Sequence, residues 1–281
     1  MINALFLAKV KAKIAKSSFL NFLITHTAII TEKYFFIFHF SSEKYLKSQW
    51  INNAPEFNEK LSQAEKCIYV FWTGKNEMSD NRKKGLEMLE EKTGIEIKLI
   101  TPDNLDEYIL QGFPLHPSYQ YLSLVHKSDY LRCYFMYHYG GGYSDVKSAK
   151  NNWNKAFELL NKSDSYVLGY REILGGISRV NNDDVLSYDL RRYYFKNIGV
   201  CSFIFKPKSP IAKEWLDELH RRLDVYIYSL KNNPGNIMGD NEGYPIQWTL
   251  ILGQVLHPIF LKYHKKVIQD DNIRPSFSNY R

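Results

Sequence analysis

The alternation of apolar and polar segments in the middle of the chain predicts a layered α/β fold. Residues 67–72 (CIYVFW) are continuously apolar, as in a strand that is buried on both faces. Ser79 and Gly94 bound the next segment, which predicts a capped helix. Residues 95–100 alternate like a strand, and residues 101–109 open another helix with Thr-Pro. Strands and helices in such close succession indicate a sheet with right-handed crossover connections.

A long, mostly apolar helix is predicted at residues 118–139, and three glycines end it at residues 140–142. An extended segment then resumes and delivers Asp145 at its end. Further strands are predicted at residues 166–170 and 200–205, because both segments are short, apolar and rich in β-branched or aromatic residues.

The C-terminal third of the chain is predicted to contain two more helices. Ser209 caps and Pro210 opens a clearly amphipathic helix, which ends at residues 232–235. A final helix is expected at residues 246–256. Residues 171–195 are polar, aromatic and irregular in pattern, and no regular element is predicted there.

Composition and charge narrow the function classes. The chain has 281 residues, of which 44% are hydrophobic, enough for a well-buried core. Its net charge of +7 fits a solvated surface, and equally an anionic ligand, an anionic lipid surface or nucleic acid. No helix-turn-helix, RNA-binding sheet or zinc motif appears, so nucleic acid is not an expected partner. The three cysteines are distant and odd in number, which predicts free thiols in a reducing, cytoplasmic compartment.

The N-terminal 60 residues have a mixed character and are predicted to form a helical extension in front of one domain at residues 61–281. Apolar residues 19–40 are interrupted by His26 and by Glu32 beside Lys33, so no membrane-spanning helix is expected. Lysines follow one another among apolar residues near the start of the chain: Lys9, Lys11, Lys13 and Lys16. A basic amphipathic helix on a membrane surface and an ordinary surface helix of the domain are both open interpretations.

Charged residues in the long apolar helix are the first candidates for chemistry. Asp129 and Arg132 are three residues apart and so share a helix face. An exposed ion pair is the simpler interpretation, but charges on a mostly buried helix need partners. The glycines after the helix permit positive φ and a close approach of a ligand to the backbone. Asp145 then lies at a strand end, where α/β sheets usually bind ligands.

The segment SDYLRCYFMYHYGGGYSDVK (residues 128–147) resembles the core of glycosyltransferases with the GT-A fold. This group includes yeast-type mannosyltransferases, bacterial capsule-synthesis transferases and the large clostridial glucosylating toxins. Its pattern is S-D-x-x-R, a helix, G-G, an aromatic residue and D-x-D. The matching residues are Ser128, Asp129, Arg132, Gly141, Gly142, Tyr143 and Asp145. YVFWTG (residues 69–74) resembles the first strand of the same families, and the resemblance spans residues 67–150.

The resemblance implies a Rossmann-like mixed sheet flanked by helices, in a single catalytic domain that binds a nucleotide-sugar donor. It implies that Trp72 stacks on the nucleobase, although plain core packing is the alternative for this ring. Asp129 and Arg132 would hold the donor sugar. Gly141 and Gly142 would let the donor approach, and Asn197, at the start of a later strand, would meet donor or acceptor. Asp145 would contact the donor ribose, or a metal through water.

Lys147 departs from the family pattern, in which a second carboxylate of D-x-D binds Mn²⁺ or Mg²⁺ on the diphosphate. An ammonium group cannot ligate a cation, but it can pair with phosphate oxygens. Lys147 and Asp145 are therefore the expected catalytic pair. Three interpretations stay open: Lys147 replaces the metal electrostatically, Asp145 holds a metal with help from the C-terminal segment, or the protein is a pseudo-enzyme.

Softer candidates lie further along the chain. A glycine-rich polar segment near the C-terminus resembles the loop that closes over the diphosphate in such enzymes, with the candidates Asp240, Glu242, Trp248 and His257. The irregular segment at 171–195 would shape an acceptor pocket, with the candidates Arg171, Glu172, Asp183 and Asp184. For His257, beside a proline, an ordinary position at a helix end is the simpler interpretation.

The sequence therefore predicts a glycosyltransferase that moves a sugar from a nucleotide donor to a growing surface glycan such as a capsule, O-antigen or lipopolysaccharide. Retention of the anomeric configuration is implied by the resemblance alone. The expected acceptor is a glycan or a lipid-linked glycan, reached at the inner face of the cell membrane. The alternative is a non-catalytic protein that binds a nucleotide sugar or a glycan.

Overall fold

The computed structural model of this chain describes residues 39–45, 49–57 and 60–278, with isolated positions between residues 23 and 30. The lysine-bearing segment 1–22, for which a membrane-surface helix was one interpretation, lies outside the described residues. Within the described part of the chain, no helix is long and apolar enough to cross a membrane.

The sheet is mixed, as the sequence analysis expected. Its strands, in chain order, are β1 (Cys67–Phe71), β2 (Glu96–Ile100), β3 (Gly141–Ser144), β4 (Val167–Arg171), β5 (Ile198–Phe205) and β6 (Val267–Gln269). The strands lie side by side in the order β2-β1-β3-β5-β4-β6. β5 runs antiparallel to both of its neighbours, and the other neighbouring strands are parallel. The predicted α/β fold with a mixed sheet is confirmed.

This topology places several predicted site residues at one edge of the sheet. The carboxyl ends of β1, β3 and β4 meet the amino end of β5 there, because β5 alone is reversed between β3 and β4. Trp72 follows β1, Asp145 follows β3, and Asn197 precedes β5. The edge is thus the one at which open α/β sheets bind their ligands.

Helices cover both faces of the sheet. They are α1 (Asp80–Thr93), α2 (Leu124–His138), α3 (Asn154–Lys162), α4 (Asp184–Arg192), α5 (Pro210–Asn232) and α6 (Gly253–Lys262). α2, α5 and α6 pack on one face around buried Phe135, Phe203 and Trp215. α1 and α3 pack on the other face, around Leu89 and Phe157. Both faces of β1 are buried, which explains its unbroken apolar sequence.

Local sequence signals explain where these helices begin and end. α1 starts after Ser79 and ends at Gly94, which has the left-handed φ of 63° expected of a helix-ending glycine. α5 begins at Pro210, and the hydroxyl of Ser209 accepts a hydrogen bond from the N–H of Ala212. α2 is shorter than predicted, because Ser123 caps it and a short 3-10 turn at Tyr119–Tyr121 precedes it.

Three element predictions need correction. The final helix was predicted at residues 246–256, but α6 begins and ends later in the chain. It contains Pro258, and a proline usually indicates that a helix ends before it. α4 lies inside the segment 171–195 that was expected to be irregular, and Asp183 caps it by accepting from the N–H of Leu186. Residues 101–109 form only the 3-10 turn Leu105–Tyr108.

The described part of the predicted N-terminal extension packs against the domain. Tyr45 and Ile51 are fully buried in a small cluster with Leu186, Leu190 and Leu261, which belong to α4 and α6. Residues 39–45 and 49–57 therefore contribute to the core of the same body.

Candidate active site

A cavity of about 760 Å³ opens at the sheet edge described above. Its walls come from the loop after β1, the first turn of α1, the first half of α2, residues 145–147, and two later segments around residues 176–178 and 237–257. This volume is in the range of ligand-binding cavities in proteins.

The cavity brings together five of the eight residues that were predicted from the sequence for catalysis or donor binding. They are Trp72, Asp129, Arg132, Asp145 and Lys147. These residues belong to three separate elements, so their convergence is a property of the fold. Their assignment to donor binding or catalysis remains a prediction.

Asp129 and Arg132 form a buried ion pair on α2. Arg132 Nη2 lies 3.0 Å from Asp129 Oδ1, and Asp129 is only 1% exposed. Burial raises the pKa of Asp129, while the charge of Arg132 acts in the opposite direction. Arg132 Nη1 donates to the carbonyl of Val200 at 3.0 Å, and its guanidinium group lies 4.6 Å from the centre of the Tyr143 ring. The predicted pair is therefore a fixed element of the cavity wall.

Asp145 is the centre of a charged network. The Tyr143 hydroxyl donates to Oδ1 at 2.6 Å, and Arg132 Nη2 lies 3.4 Å from the same oxygen. Lys147 Nζ donates to Oδ2 at 2.7 Å. Burial alone would raise the pKa of Asp145, but Lys147 and Arg132 hold it well below its ordinary value. Asp145 is thus a carboxylate over the whole physiological pH range.

Lys147 is nearly buried at the cavity wall. Its ammonium group lies 3.5 Å from Cys201 Sγ and 4.8 Å from the centre of the Phe277 ring. Burial alone would lower the pKa of Lys147, yet the charge of Asp145 raises it above its ordinary value. Burial and Asp145 raise the pKa of the neighbouring Cys201 to about 12, so this thiol is protonated. Lys147 is therefore a charged group in the position of the second carboxylate of the D-x-D pattern.

Four side chains of alternating charge form successive ion pairs along the cavity wall: Asp129, Arg132, Asp145 and Lys147. Each member neutralises its neighbour, which offsets the cost of burying four charges. Removal of one member would leave a buried charge without compensation.

Trp72 extends from the end of β1 into the cavity. Its ring nitrogen donates to the carbonyl of Asn76 at 2.7 Å, which fixes the indole relative to the loop. The ring is half-buried and packs on the cluster beneath α1 and α3. The Trp72 ring therefore both packs on the core and lines the cavity.

Gly141 and Gly142 are not among the wall residues of this cavity, so their contact with a donor stays a prediction. Both are buried in β3 against β1. A Cβ atom on Gly142 would lie 2.9 Å from Ile68 Cγ1, and one on Gly141, whose φ is 82°, would lie 3.2 Å from the Cys67 carbonyl. The glycines are needed for close packing of two strands.

Asn197 is also absent from the cavity wall. Its side chain is completely buried, and within the described residues its amide has no hydrogen-bond partner. Its carbonyl accepts from Gln269 Nε2 at 2.8 Å. The predicted contact with donor or acceptor is therefore not supported by its position.

The later candidates divide into two groups. Trp248 and His257 line the cavity, whereas Asp240 and Glu242 are not among the wall residues. His257 lies inside α6, not at a helix end. Its Nδ1 accepts from the N–H of Ser178 at 3.1 Å, and its Nε2 lies 3.7 Å from Glu172.

The candidates for an acceptor pocket at 171–195 have other roles. Arg171 pairs with Asp271, and Asp184 pairs with Arg179 on the surface. Asp183 caps α4, and Glu172 lies behind His257 rather than on the wall. From this segment the cavity wall receives residues that the sequence did not single out, Gly176 and Ser178.

Arg82 is a cavity residue that the sequence analysis missed. It lies in the first turn of α1, and its Nη1 donates to the Val146 carbonyl at 2.7 Å. The sequence alone does not indicate that Arg82 lines a cavity, because only the tertiary structure brings its side chain to residue 146.

The wall residues fit a metal ion poorly. Both oxygens of Asp145 are engaged by Tyr143, Arg132 and Lys147. Within the described residues there is no group of three or more histidine, cysteine or carboxylate side chains that could hold a metal. The prediction that Asp145 ligates Mn²⁺ or Mg²⁺ therefore finds no complete ligand set around this carboxylate.

A mixed α/β sheet with a charged cavity at its strand ends is the arrangement in which α/β proteins bind nucleotides and related ligands. A family model described as "Capsular polysaccharide synthesis protein" matches residues 17–168, more than half of the chain. The chain belongs to this family, and the predicted resemblance to capsule-synthesis proteins is confirmed.

Among solved structures, one titled "PaToxG Glycosyltransferase" is similar at 12% sequence identity. The similarity covers 88% of this chain and 80% of that chain, with a TM-score of 0.40. Comparison with curated protein sequences gave no match.

Proposed function

We propose that this protein is a GT-A-type glycosyltransferase that moves a sugar from a nucleotide-sugar donor to a growing capsular or other surface glycan. One observation carries the proposal: Trp72, the Asp129–Arg132 pair and the Asp145–Lys147 pair share one cavity at the strand ends of a capsule-synthesis family member. An aromatic ring, a sugar-binding acid–base pair and a cation for phosphate are the groups that such a donor requires.

The donor sugar would be held by Asp129 and Arg132. The Asp129 carboxylate can accept hydrogen bonds from sugar hydroxyls, and Arg132 keeps it in place through the 3.0 Å contact. Trp72 would stack on the nucleobase at the other side of the cavity, with its ring fixed by the bond to Asn76. These contacts orient the anomeric carbon relative to the acceptor.

The leaving diphosphate would be stabilised by Lys147. Positive charge next to a departing phosphate lowers the barrier, because negative charge develops there in the transition state. Lys147 is charged and held in place by Asp145, so it is organised before the donor binds. On this account the reaction needs little or no divalent metal.

The charge pattern of the cavity supports retention of the anomeric configuration. An inverting enzyme needs a carboxylate as general base near the acceptor hydroxyl. The described carboxylates on the wall are Glu77, Asp129 and Asp145, and each is ion-paired with a lysine or arginine. Asp145 is a weak base because Lys147 and Arg132 lower its pKa, and the carboxylate of Asp129 is engaged by Arg132.

The acceptor on this account is a glycan or lipid-linked glycan at the cytoplasmic face of the membrane. Family membership favours a capsule over O-antigen or lipopolysaccharide. Peripheral membrane contact through the basic N-terminal segment is part of the same proposal.

A thermal-shift screen of UDP-, GDP-, CMP- and dTDP-sugars, with and without Mn²⁺, tests the proposal. One donor should stabilise the protein and its relatives should not, since binding to the native state raises its melting temperature. Trp72→Ala should lose the shift. Trp50→Ala, which removes a half-buried tryptophan outside this cavity, should keep it. If no donor shifts the wild-type protein, the proposal is wrong.

A non-catalytic nucleotide-sugar binding protein is the second candidate, favoured by the loss of the second D-x-D carboxylate at Lys147. An assay of sugar transfer and donor hydrolysis distinguishes the two candidate functions. Donor binding without hydrolysis or transfer to any glycan acceptor would identify a binding protein.

A further inference from the structure

A second cavity adjoins the cavity around Asp145 (the first cavity). Its volume is about 380 Å³, in the lower part of the range of ligand-binding cavities. Its described walls come from Trp50, residues 180–182, one face of α5 and the segment that leads into α6. None of these described wall residues also lines the first cavity, so the proposed reaction gives them no role.

Two chain segments form a common wall between the two cavities. In one of them, Thr249 lines the first cavity and the next residue, Leu250, lines the second. In the other, Ser178 lines the first cavity and Asn181 lines the second. Gln254 joins the segments, because its Oε1 accepts from the N–H of Asn181 at 3.1 Å and its Nε2 donates to Thr249 Oγ1 at 3.3 Å. A single chain segment therefore separates the two cavities at this point.

The second cavity combines aromatic rings with hydrogen-bonding groups. Trp50 and Tyr226 are half-buried, so each keeps part of its surface exposed. Asn181 and Asn182 are exposed, and an amide side chain both donates and accepts hydrogen bonds. A pyranose ring has an apolar C–H face and hydroxyl groups around its edge. Flat aromatic surface beside amide groups is therefore suited to binding sugars.

Buried charges hold this wall in place before a ligand binds. The guanidinium group of buried Arg222 lies 5.4 Å from the centre of the Trp50 ring. Its Nε donates to Glu218 Oε1 at 2.7 Å, and its Nη1 donates to the carbonyl of Leu250. Arg221 Nη2 donates to the same Glu218 oxygen at 2.7 Å. Because these contacts fix the Trp50 ring and the α5 face, less conformational freedom is lost on binding.

We propose that the second cavity binds the glycan chain of the acceptor, at sugars that precede the one receiving the transferred sugar. This inference rests on the proposed function, because it places the receiving hydroxyl group in the first cavity. A growing glycan extends beyond the cavity in which its end reacts, and the second cavity is the adjoining one. The site therefore gives a preference for long acceptors over short ones, through binding rather than through the chemical step.

Transfer to a disaccharide and to a hexasaccharide tests this assignment, both prepared from the surface polysaccharide of the organism that carries this protein. The wild-type KM should be at least about tenfold lower for the hexasaccharide. Tyr226→Ala and Asn182→Gly should each raise the hexasaccharide KM about fivefold, the size of one aromatic contact or one hydrogen bond, and change the disaccharide KM by less than about twofold. Both variants should keep the wild-type kcat and donor KM, because the site acts on acceptor binding alone.

The variants and their control are chosen to leave the fold intact. Asn182 has a φ of 58°, which glycine adopts readily, so Asn182→Gly removes the side chain without straining the backbone. Tyr228→Ala is the matched control for Tyr226→Ala. Tyr228 is 75% exposed on the same helix and is not among the described wall residues of the second cavity, so this variant should leave both KM values unchanged.

The possible outcomes are distinct. Equal wild-type KM values for the two acceptors would overturn the inference, as would equal losses for both acceptors in the variants or the same loss in Tyr228→Ala. If the wild-type protein transfers sugar to neither acceptor, the proposed function fails, and calorimetric titration with the hexasaccharide alone still tests the cavity. Binding that Tyr226→Ala and Asn182→Gly weaken and Tyr228→Ala does not would support the site, whereas no binding by the wild-type protein would overturn it.

Discussion

Lys147 donates a 2.7 Å hydrogen bond to Asp145, the residue that it follows in the D-x-D-like segment. The position that would carry a second metal-binding carboxylate thus carries a cation that neutralises the first one. Under the proposed function, Lys147 rather than a metal ion would face the diphosphate, and this gives the first prediction.

Lys147→Asp should convert the protein into a metal-dependent one. Two carboxylates two residues apart would repel each other without a cation, and Mn²⁺ would relieve the repulsion. We expect wild-type transfer to keep most of its rate in EDTA. The Lys147→Asp variant should lose at least about 90% of its rate in EDTA and regain it with Mn²⁺, because the metal then replaces the lysine. The measurement is the initial rate of transfer at fixed donor concentration.

Lys147→Met is the matched control, since it removes the ammonium group without adding a carboxylate. Its rate should be low with and without Mn²⁺. Complete loss of wild-type activity in EDTA, restored by Mn²⁺, would contradict the role assigned to Lys147.

Arg132→Met should destabilise the protein strongly. Arg132 lies between Asp129 and Asp145, and its removal leaves the buried Asp129 carboxylate without its partner. Loss of one partner from a buried ion pair costs about 3–5 kcal/mol of unfolding free energy. Urea denaturation measures this cost. The double variant Asp129→Asn/Arg132→Met should recover part of it, and a double variant less stable than Arg132→Met would show that the two residues are not coupled.

The loss of unfolding free energy at acidic pH should depend on Asp145. Its pKa is lower in the folded protein than in the unfolded chain, so its stabilising contribution is complete above about pH 4 and is lost as the pH falls below that value. Wild type should therefore exceed Asp145→Asn in unfolding free energy by on the order of 2 kcal/mol at pH 7, and the difference should shrink between pH 4 and pH 2. Urea midpoints over this range provide the measurement. A difference that does not change with pH would contradict the assigned direction.

Gly142→Ala should reduce stability and leave donor affinity unchanged. The added methyl group would meet Ile68 Cγ1 at 2.9 Å within the β1–β3 contact. Overpacking of this kind costs about 1–3 kcal/mol. Thermal denaturation and donor titration of the folded variant separate the two effects. A loss of donor affinity without a loss of stability would restore the glycine to the binding site.

Much of the site was predictable because its geometry is local. The i, i+3 spacing of Asp129 and Arg132 fixes their contact once the segment is helical. Trp72 and Asp145 follow strands, and parallel strands bring their carboxyl ends to one edge. Ser79 and Gly94 bound α1 through backbone conformation alone.

The remainder depends on tertiary contacts that a sequence pattern does not contain. Arg82 reaches residue 146 only because α1 packs on that segment. His257 joins the wall through its bond to Ser178, 79 positions away in the chain. The glycines after α2 were assigned to a ligand because glycine permits the close approach of any group, and here that group is a neighbouring strand. The bounds of α6 were predicted too early in the chain because Pro258 was interpreted as the end of the helix.

Release of nucleoside diphosphate from the donor selected in the thermal-shift screen tests the central claim most directly. The wild-type protein should release it when a glycan acceptor is present. Asp129→Asn should release it at least about ten times more slowly, because the sugar loses a charge-assisted contact. No release by the wild-type protein with any donor, or equal rates for wild type and Asp129→Asn, would contradict the assignment of this cavity to sugar transfer.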